Sequence, residues 1–230
     1  MIGTVRSLDN KEKYAFLNEL KGAKEHLELR EADLTKVECW DKATEGIQSV
    51  IHVASPIPPG VPKDENELII PAVEGTQNVI NACLKNKIKR LVLTSGCLTA
   101  LVRKDNKVVN EDDWSDLSLL QFYPKSKFLA EKLFWAEAEK HGNELEFVAV
   151  LPSLVLGPAL SKHGNSSEAF VADILNGTYP GVPTPSTQYA VVDVRDAAIG
   201  HSRALESPTA KGKRYIISGF LFRVTKCSTF

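Results

Sequence analysis

The sequence predicts an α/β protein with a doubly wound parallel sheet, covered by helices on both faces. Short apolar runs alternate along the chain with longer segments whose apolar residues recur at helical spacing. Such alternation is typical of βαβ units, which build parallel sheets. The 230 residues suit one large domain with a small lobe. Since Pro and Gly become frequent after Pro158, we expect the domain at residues 1–158 and a partial substrate-binding lobe at 159–230.

The first half of the chain predicts four strands and three helices. Strands are predicted where short apolar runs occur, at Ile2–Arg6, Leu27–Leu34, Ser49–Ala54 and Arg90–Thr94. Helices are predicted between them, at Lys11–Leu20, Val37–Glu45 and Glu65–Asn86. Asp9 or Asn10 can cap the first of these helices.

The second half continues the alternation and then changes in composition. A polar loop at Arg103–Asp116 leads into a helix at Tyr123–Lys140 and a strand at Glu146–Leu151. The segment Asn176–Pro185 is rich in Gly and Pro, which favours turns. Beyond it the pattern predicts a strand at Tyr189–Val192, a helix at Val194–Leu205 and a strand at Arg214–Ser218.

Composition excludes several classes of protein. The chain has 28 basic and 29 acidic residues, which argues against binding to nucleic acid or to an anionic membrane. The longest apolar segment, Phe147–Leu160, is too short and too broken by proline to span a bilayer. No signal-peptide pattern begins the chain, so we expect a reducing, cytoplasmic setting. No metal-ligand spacing links the four cysteines, which are Cys39, Cys83, Cys97 and Cys227.

Small, polar or charged residues follow the predicted strands. Ligands of parallel α/β sheets bind at the carboxyl ends of the strands. The residues at those ends are therefore candidates for a binding site: Arg6, Asp33, Ala54, Ser55, Thr94, Ser95, Leu151 and Pro152.

Tyr123 and Lys127 lie four residues apart on a predicted helix, so their side chains share one face. An ammonium beside a phenol favours the phenolate and lowers the tyrosine pKa from about 10. A tyrosine tuned in this way donates a proton to a carbonyl oxygen or accepts one from an alcohol. The pair is the leading catalytic candidate, although the same spacing also occurs on ordinary amphipathic helices.

Five stretches carry a further signal in their order and spacing. They are Gly3-Thr-Val-Arg-Ser7, Val50-Ile-His-Val-Ala-Ser-Pro56, Pro71-Ala-Val-Glu-Gly-Thr-Gln-Asn-Val79, Tyr123 to Lys132 and Val192-Asp-Val-Arg-Asp196. In this order the chain resembles the extended short-chain dehydrogenases/reductases of the NAD-dependent epimerase/dehydratase superfamily. The similarity is strongest to the branch of dihydroflavonol reductases, cinnamoyl-CoA reductases and ketoreductases. It implies a Rossmann-type domain and NADPH-dependent reduction of a ketone or aldehyde to an alcohol.

The resemblance also implies roles for residues around NADP(H). Arg6, with Lys13 nearby, resembles the contact to the adenosine 2′-phosphate, and a guanidinium pairs well with phosphate. Tyr123 is implied as the proton donor, while Lys127 lowers its pKa and hydrogen-bonds the nicotinamide ribose. The remaining positions resemble segments along the adenine, the ribose, the nicotinamide and the pyrophosphate: Asp33, Leu34, Val53, Ala54, Ser55, Pro152, Val155 and Ser167.

Two departures from the family pattern change these expectations. The family opens with a strand and a Gly-x-x-Gly-x-x-Gly turn that meets the pyrophosphate, and this motif does not occur in the sequence. We therefore expect a sheet that lacks its first strand, in a chain shortened at both ends. At the position of the family's catalytic serine the chain has Gly96, so we expect Ser95 or Thr99 to polarise the carbonyl instead.

Two alternatives remain open at this point. The missing glycine-rich turn and serine favour a catalytically silent relative that acts as a binding or regulatory protein, whereas the retained Tyr123, Lys127 and Arg6 favour an enzyme. Nucleotide-sugar epimerases and hydroxysteroid dehydrogenases keep the cofactor but change the reaction. The expected partner is a small carbonyl or alcohol substrate, without metal, nucleic acid or membrane. The helices at 65–86 and 123–140 leave a homodimer open.

Overall fold

The described part of the chain mostly alternates strands and helices. The computed structural model describes residues 1–57, 62–105, 107–161, 166–178 and 188–223. The strands are β1 (Ile2–Val5), β2 (Glu28–Glu31), β3 (Ser49–His52), β4 (Arg90–Thr94), β5 (Glu146–Pro152), β6 (Leu154–Leu156), β7 (Gln188–Asp193), β8 (Arg214–Ile217) and β9 (Phe220–Arg223). The α-helices are α1 (Ala15–Asn18), α2 (Ala23–His26), α3 (Val37–Ala43), α4 (Asn66–Lys85), α5 (Leu98–Leu101), α6 (Phe122–His141), α7 (Ser166–Asn176) and α8 (Val194–Glu206). Single 3-10 turns occur at Lys11–Lys13 and Leu117–Leu119.

Parallel pairing dominates the sheets. Strands β3, β4, β5 and β8 form one sheet in that order, and every neighbouring pair in it is parallel. Strands β1 and β2 form a separate parallel pair. Strand β7 lies between β6, which is parallel to it, and β9, which is antiparallel. The prediction of an α/β fold with a parallel sheet is confirmed.

The pair β1–β2 is separated from the four-stranded sheet. Within the described residues, β1 pairs only with β2 and β3 pairs only with β4, so each leaves one backbone edge without a strand partner. Unpaired edges of this kind present rows of N–H and C=O groups. A sheet that lacks its first strand has two such edges. That a first strand is missing between β1 and β3 stays a prediction.

Helices cover both faces of the four-stranded sheet. On one face Leu91 and Phe147 pack with Val79 of α4 and Phe134 of α6, and the rings of Phe134 and Phe147 meet edge to face at 5.0 Å. On the other face the intervening residues of β4 and β5 pack against α8; these are Val92, Val148 and Val150. Because side chains alternate along a strand, continuous apolar runs fill both layers.

Several segments differ from the sequence-based predictions. The predicted helix at Lys11–Leu20 is a 3-10 turn followed by the single-turn helix α1. Helix α7 and strand β9 were not predicted. Strand β8 pairs with β5 across the expected boundary at Pro158, and that boundary stays a prediction. Residues 179–185 of the Gly- and Pro-rich segment lie outside the described residues.

No helix in the described ranges combines the length and the apolar character that crossing a bilayer needs.

Candidate active site

A cleft of about 930 Å³ opens at the carboxyl ends of β3, β4 and β5. Its walls also include the first turn of α6 and residues of α7 and β7. This is the position at which parallel α/β sheets bind their ligands. The predicted site residues that line it are Val53, Ala54, Ser55, Ser95, Tyr123, Lys127, Pro152, Val155 and Ser167. The fold thus brings together predicted residues from five separate parts of the sequence.

Tyr123 is 37 % exposed, and it lines the cleft. The protein atoms around it desolvate the phenolate, and this burial raises the pKa of Tyr123 to about 12. Lys127 Nζ lies 5.9 Å from the centre of the tyrosine ring. The expectation of a lowered pKa for Tyr123 is therefore wrong for this structure, because desolvation raises that pKa. The phenol keeps its proton at neutral pH.

Lys127 is 7 % exposed, and its Nζ donates to the carbonyl oxygen of Thr94 at 2.8 Å. Burial lowers the pKa of Lys127 to about 8, although the charge of Glu131 opposes this shift. The ammonium has three protons, so two remain for groups bound in the cleft. Thr94 is itself fixed, because its hydroxyl lies 2.8 Å from Nε2 of His201.

Ser95 and Thr99 contact a buried ion pair. The Ser95 hydroxyl donates to Glu131 Oε2 at 2.5 Å, and Thr99 Oγ1 lies 2.7 Å from the same oxygen. Glu131 Oε1 accepts from Arg214 Nε at 2.7 Å and from Trp135 Nε1 at 3.2 Å. A catalytic role for Ser95 requires its hydroxyl to break the hydrogen bond to the Glu131 carboxylate, which is 0 % exposed. The geometry disfavours that predicted role, and the same holds for Thr99.

Replacing Glu131 with alanine is expected to lower the free energy of unfolding by about 3–5 kcal/mol. The change leaves the Arg214 guanidinium, whose side chain is 7 % exposed, without its carboxylate partner. Urea denaturation measures the loss. Glu144→Ala is the control, since that carboxylate is 70 % exposed and its removal should cost less than about 1 kcal/mol. A similar loss in both variants would contradict the prediction.

Gly96 lines the cleft between β4 and α5. A Cβ atom added to Gly96 would come no closer than 4.0 Å to another group, the carbonyl oxygen of Pro152. The position therefore has room for a side chain, and its backbone is not left-handed.

The predicted adenine-side residues lie beyond the lining of the cleft. Arg6 and Lys13 are exposed. The Asp33 carboxylate accepts from the backbone N–H of Thr35 at 3.0 Å and from its hydroxyl at 2.8 Å. These bonds, with Lys36 and Arg6 nearby, lower the pKa of Asp33. The backbone carbonyl of Leu34 accepts from Asn78 at 2.9 Å.

A second cavity of about 790 Å³ lies next to the cleft. Phe16 of α1 lines it together with Val155 and Ser167, and the latter two also line the cleft. The two cavities thus share a wall, and together they extend from Tyr123 to the helix that follows β1.

Sequence reasoning missed two charged residues next to the site. Glu131 lies in the stretch of α6 from Tyr123 to Lys132, but its partner Arg214 is 83 residues away. Glu65 lies before α4, and its carboxylate contacts the first turn of α6. Spacing along one helix could have placed Glu131 near Lys127, whereas nothing local points to Glu65. No cluster of three or more metal-ligating side chains occurs among the described residues.

Comparison with known proteins gives consistent matches. Residues 2–219 match the model of the 3-beta hydroxysteroid dehydrogenase/isomerase family. The chain is 37 % identical to tetraketide alpha-pyrone reductase 1 of Arabidopsis thaliana, over 100 % of this chain and 72 % of that protein. It is 38 % identical to cinnamoyl-CoA reductase 1 of the same plant, over 94 % of this chain and 62 % of that protein.

Solved structures show the same relationship. Yeast methylglyoxal/isovaleraldehyde reductase Gre2, complexed with NADPH, has a TM-score of 0.79 at 27 % identity, over 96 % of this chain and 71 % of that chain. Vestitone reductase from alfalfa has a TM-score of 0.76 at 28 % identity, over 96 % of this chain and 69 % of that chain.

Proposed function

The chain belongs to the 3-beta hydroxysteroid dehydrogenase/isomerase family, in its dihydroflavonol and cinnamoyl-CoA reductase-like branch, and on that basis we propose that it is an NADPH-dependent carbonyl reductase. The proposed reaction converts a ketone or aldehyde into an alcohol. One observation carries the proposal: Tyr123 and Lys127 line the same cleft at the carboxyl ends of the sheet. The named relatives are reductases, which supports this reaction over epimerisation.

The residues present fit the two ends of a bound NADPH. In the cleft, Lys127 has protons available for ribose hydroxyls, and small or apolar residues from the ends of β3 and β5 offer a wall for the nicotinamide. Arg6 and Lys13 are exposed cations suited to the 2′-phosphate. Ser167, on the shared wall of both cavities, is proposed near the pyrophosphate. When bound, NADPH supplies the hydride that reduces the carbonyl carbon.

Tyr123 is proposed as the general acid. Its phenol is protonated at neutral pH, since the ordinary tyrosine pKa of about 10 already lies above neutrality and burial raises it further, so a proton is available when charge develops on the carbonyl oxygen. The Lys127 ammonium stabilises the phenolate that remains after the transfer, and the carbonyl of Thr94 holds that ammonium in place. The phenolate regains a proton from solvent after the alcohol leaves.

The cleft wall supports an uncharged, largely apolar substrate. Leu98, Leu101 and Val102 line one part of it. Phe170 and Tyr189 line another part, where their rings meet edge to face at 5.3 Å. Burying apolar surface of a ligand against such walls favours binding.

Replacing Arg6 with alanine is expected to weaken NADPH binding about tenfold or more and to leave NADH binding unchanged. A hydrogen bond to a charged group contributes roughly 1.5–3 kcal/mol, and only NADPH has the 2′-phosphate. Fluorescence titration of each dinucleotide measures this, followed by turnover on a panel of aldehydes and ketones. Lys107→Ala removes a cation whose side chain is 75 % exposed and serves as control. An equal effect on NADH and NADPH would contradict the role of Arg6.

A second candidate function is a catalytically silent binding protein. The engagement of Ser95 and Thr99 by Glu131, with Gly96 between them, favours it, because no hydroxyl of this loop is then available to the cleft. The same titration separates the two functions. Tight NADPH binding without turnover on any carbonyl of the panel would select the silent protein, and no NADPH binding would reject the cofactor assignment.

A further inference from the structure

The first turn of α6, which carries Tyr123, begins in a disfavoured backbone conformation. Phe122 has a φ of +48°, in the left-handed region that bulky residues rarely adopt. A helix start leaves backbone N–H groups without partners inside the helix. The residue before the helix, Gln121, makes no side-chain capping bond to them. The start of α6 therefore depends on a group from elsewhere in the chain.

Glu65 supplies that group. Its Oε1 accepts from the backbone N–H of Phe122 at 3.0 Å, and its Oε2 accepts from Lys125 Nζ at 2.6 Å. These bonds join residues 57 and 60 positions apart, at the start of α4 and the start of α6. The bonds to Lys125 and Phe122 favour the ionised form of Glu65 and so lower its pKa. Tyr123 lies between the two residues that this carboxylate holds.

We propose that Glu65 is a positioning residue for Tyr123, because its carboxylate, at the start of α4, caps α6 and fixes the strained residue that precedes the tyrosine. Without the cap, Phe122 can relax to an ordinary φ, and this relaxation turns the first helical residue and moves the Tyr123 hydroxyl. Misplacement of a reacting group by about 1 Å costs up to about 10²-fold in rate. The kinetic consequence rests on the proposed function, whereas the existence of the cap does not depend on it.

A merely structural role for Glu65 predicts something different. Tying α4 to α6 would affect the stability of the protein and leave the local geometry of α6 unchanged. Three variants separate the two roles. Glu65→Ala removes both bonds, Glu65→Gln keeps an acceptor for Phe122 N–H, and Lys125→Met removes only the ion pair. Lys85→Met is the matched control, since it removes the exposed ion pair of α4 with Asp41 at the far end of the same helix.

The experiment measures hydrogen exchange of the Phe122 amide, the kcat and KM for a carbonyl substrate, and the Kd for NADPH. In Glu65→Ala we expect exchange at Phe122 at least about tenfold faster, kcat at least about tenfold lower, and an NADPH Kd within about twofold of the wild type. Glu65→Gln should restore the protection of Phe122 and most of kcat. Lys125→Met should keep the amide protected, and Lys85→Met should change none of the three.

The outcomes decide the proposal separately from the proposed function. Unchanged exchange at Phe122 in Glu65→Ala would overturn it, as would a fall in kcat no larger than that of Lys85→Met. If Glu65→Ala does not fold, the other two variants decide. Slow exchange of the Phe122 amide and retained kcat in both Glu65→Gln and Lys125→Met support the cap. Fast exchange of that amide in Glu65→Gln overturns it. If the wild type shows no turnover, the proposed function fails, while the exchange measurement still tests the cap.

Discussion

Replacing Tyr123 with phenylalanine is expected to reduce the rate of NADPH-dependent carbonyl reduction by about 10²–10⁴-fold. The change removes the phenolic hydroxyl and keeps the ring, so the shape of the cleft is preserved. The side-chain hydroxyls in the segment after β4 are those of Ser95 and Thr99, and both contact Glu131. Neither replaces the lost proton donor without breaking that contact. Single-turnover kinetics with saturating NADPH measure the effect on the chemical step.

A matched control shows whether the loss is specific to the site. Tyr215 lies on β8, where it packs against the cluster of Val92, Val148 and Val150, outside the lining of the cleft. Tyr215→Phe removes the same atom and should leave the rate within about twofold of the wild type. NADPH affinity should be unchanged in both variants, because neither change removes a proposed charge–charge contact. Turnover by Tyr123→Phe at the wild-type rate would show that another group donates the proton.

The central strands are the part of the fold that the sequence predicts best. The bounds of β4 agree with the prediction at both ends, because the apolar residues Leu91–Leu93 are buried on both faces and lie between the polar residues Arg90 and Thr94. The helix predicted at Lys11–Leu20 has suitable apolar spacing but breaks at Tyr14. There the backbone has φ −126° and ψ 7°, and the tyrosine hydroxyl donates to the carbonyl of Leu8. A local side-chain contact of that kind competes with helix propensity and is not visible in the periodicity.

The site was predictable where it depends on local spacing. Tyr123 and Lys127 share a helix face and line one cleft, as their separation of four residues indicates. The direction of the shift in the Tyr123 pKa was not predictable, because the shift depends on how many protein atoms surround the phenol. The contacts of Glu131 with Arg214 and of Glu65 with Phe122 join residues 83 and 57 positions apart. Only the packing of α6 against its neighbours brings these groups together.

Introducing serine at Gly96 is expected to raise kcat by about 10²–10³-fold, the amount that one donor to a developing oxyanion typically contributes. Gly96 lines the cleft with Tyr123, and a Cβ there would meet no atom closer than 4.0 Å. The added hydroxyl therefore enters the cleft without displacing the loop. It is also one residue away from Ser95, whose hydroxyl contacts Glu131, so the two hydroxyls need not compete for the carboxylate.

The control for Gly96→Ser is Gly96→Ala, which adds the same carbon and removes the same backbone freedom but brings no donor. If the cleft lacks only a hydroxyl at this position, the serine variant gains rate, the alanine variant does not, and both bind NADPH as the wild type does. The gain should also disappear in the double variant with Tyr123→Phe, because polarising the carbonyl accelerates reduction only when a proton donor completes the step. Equal rates for the serine and alanine variants would show that a hydroxyl at residue 96 does not reach the reacting carbonyl.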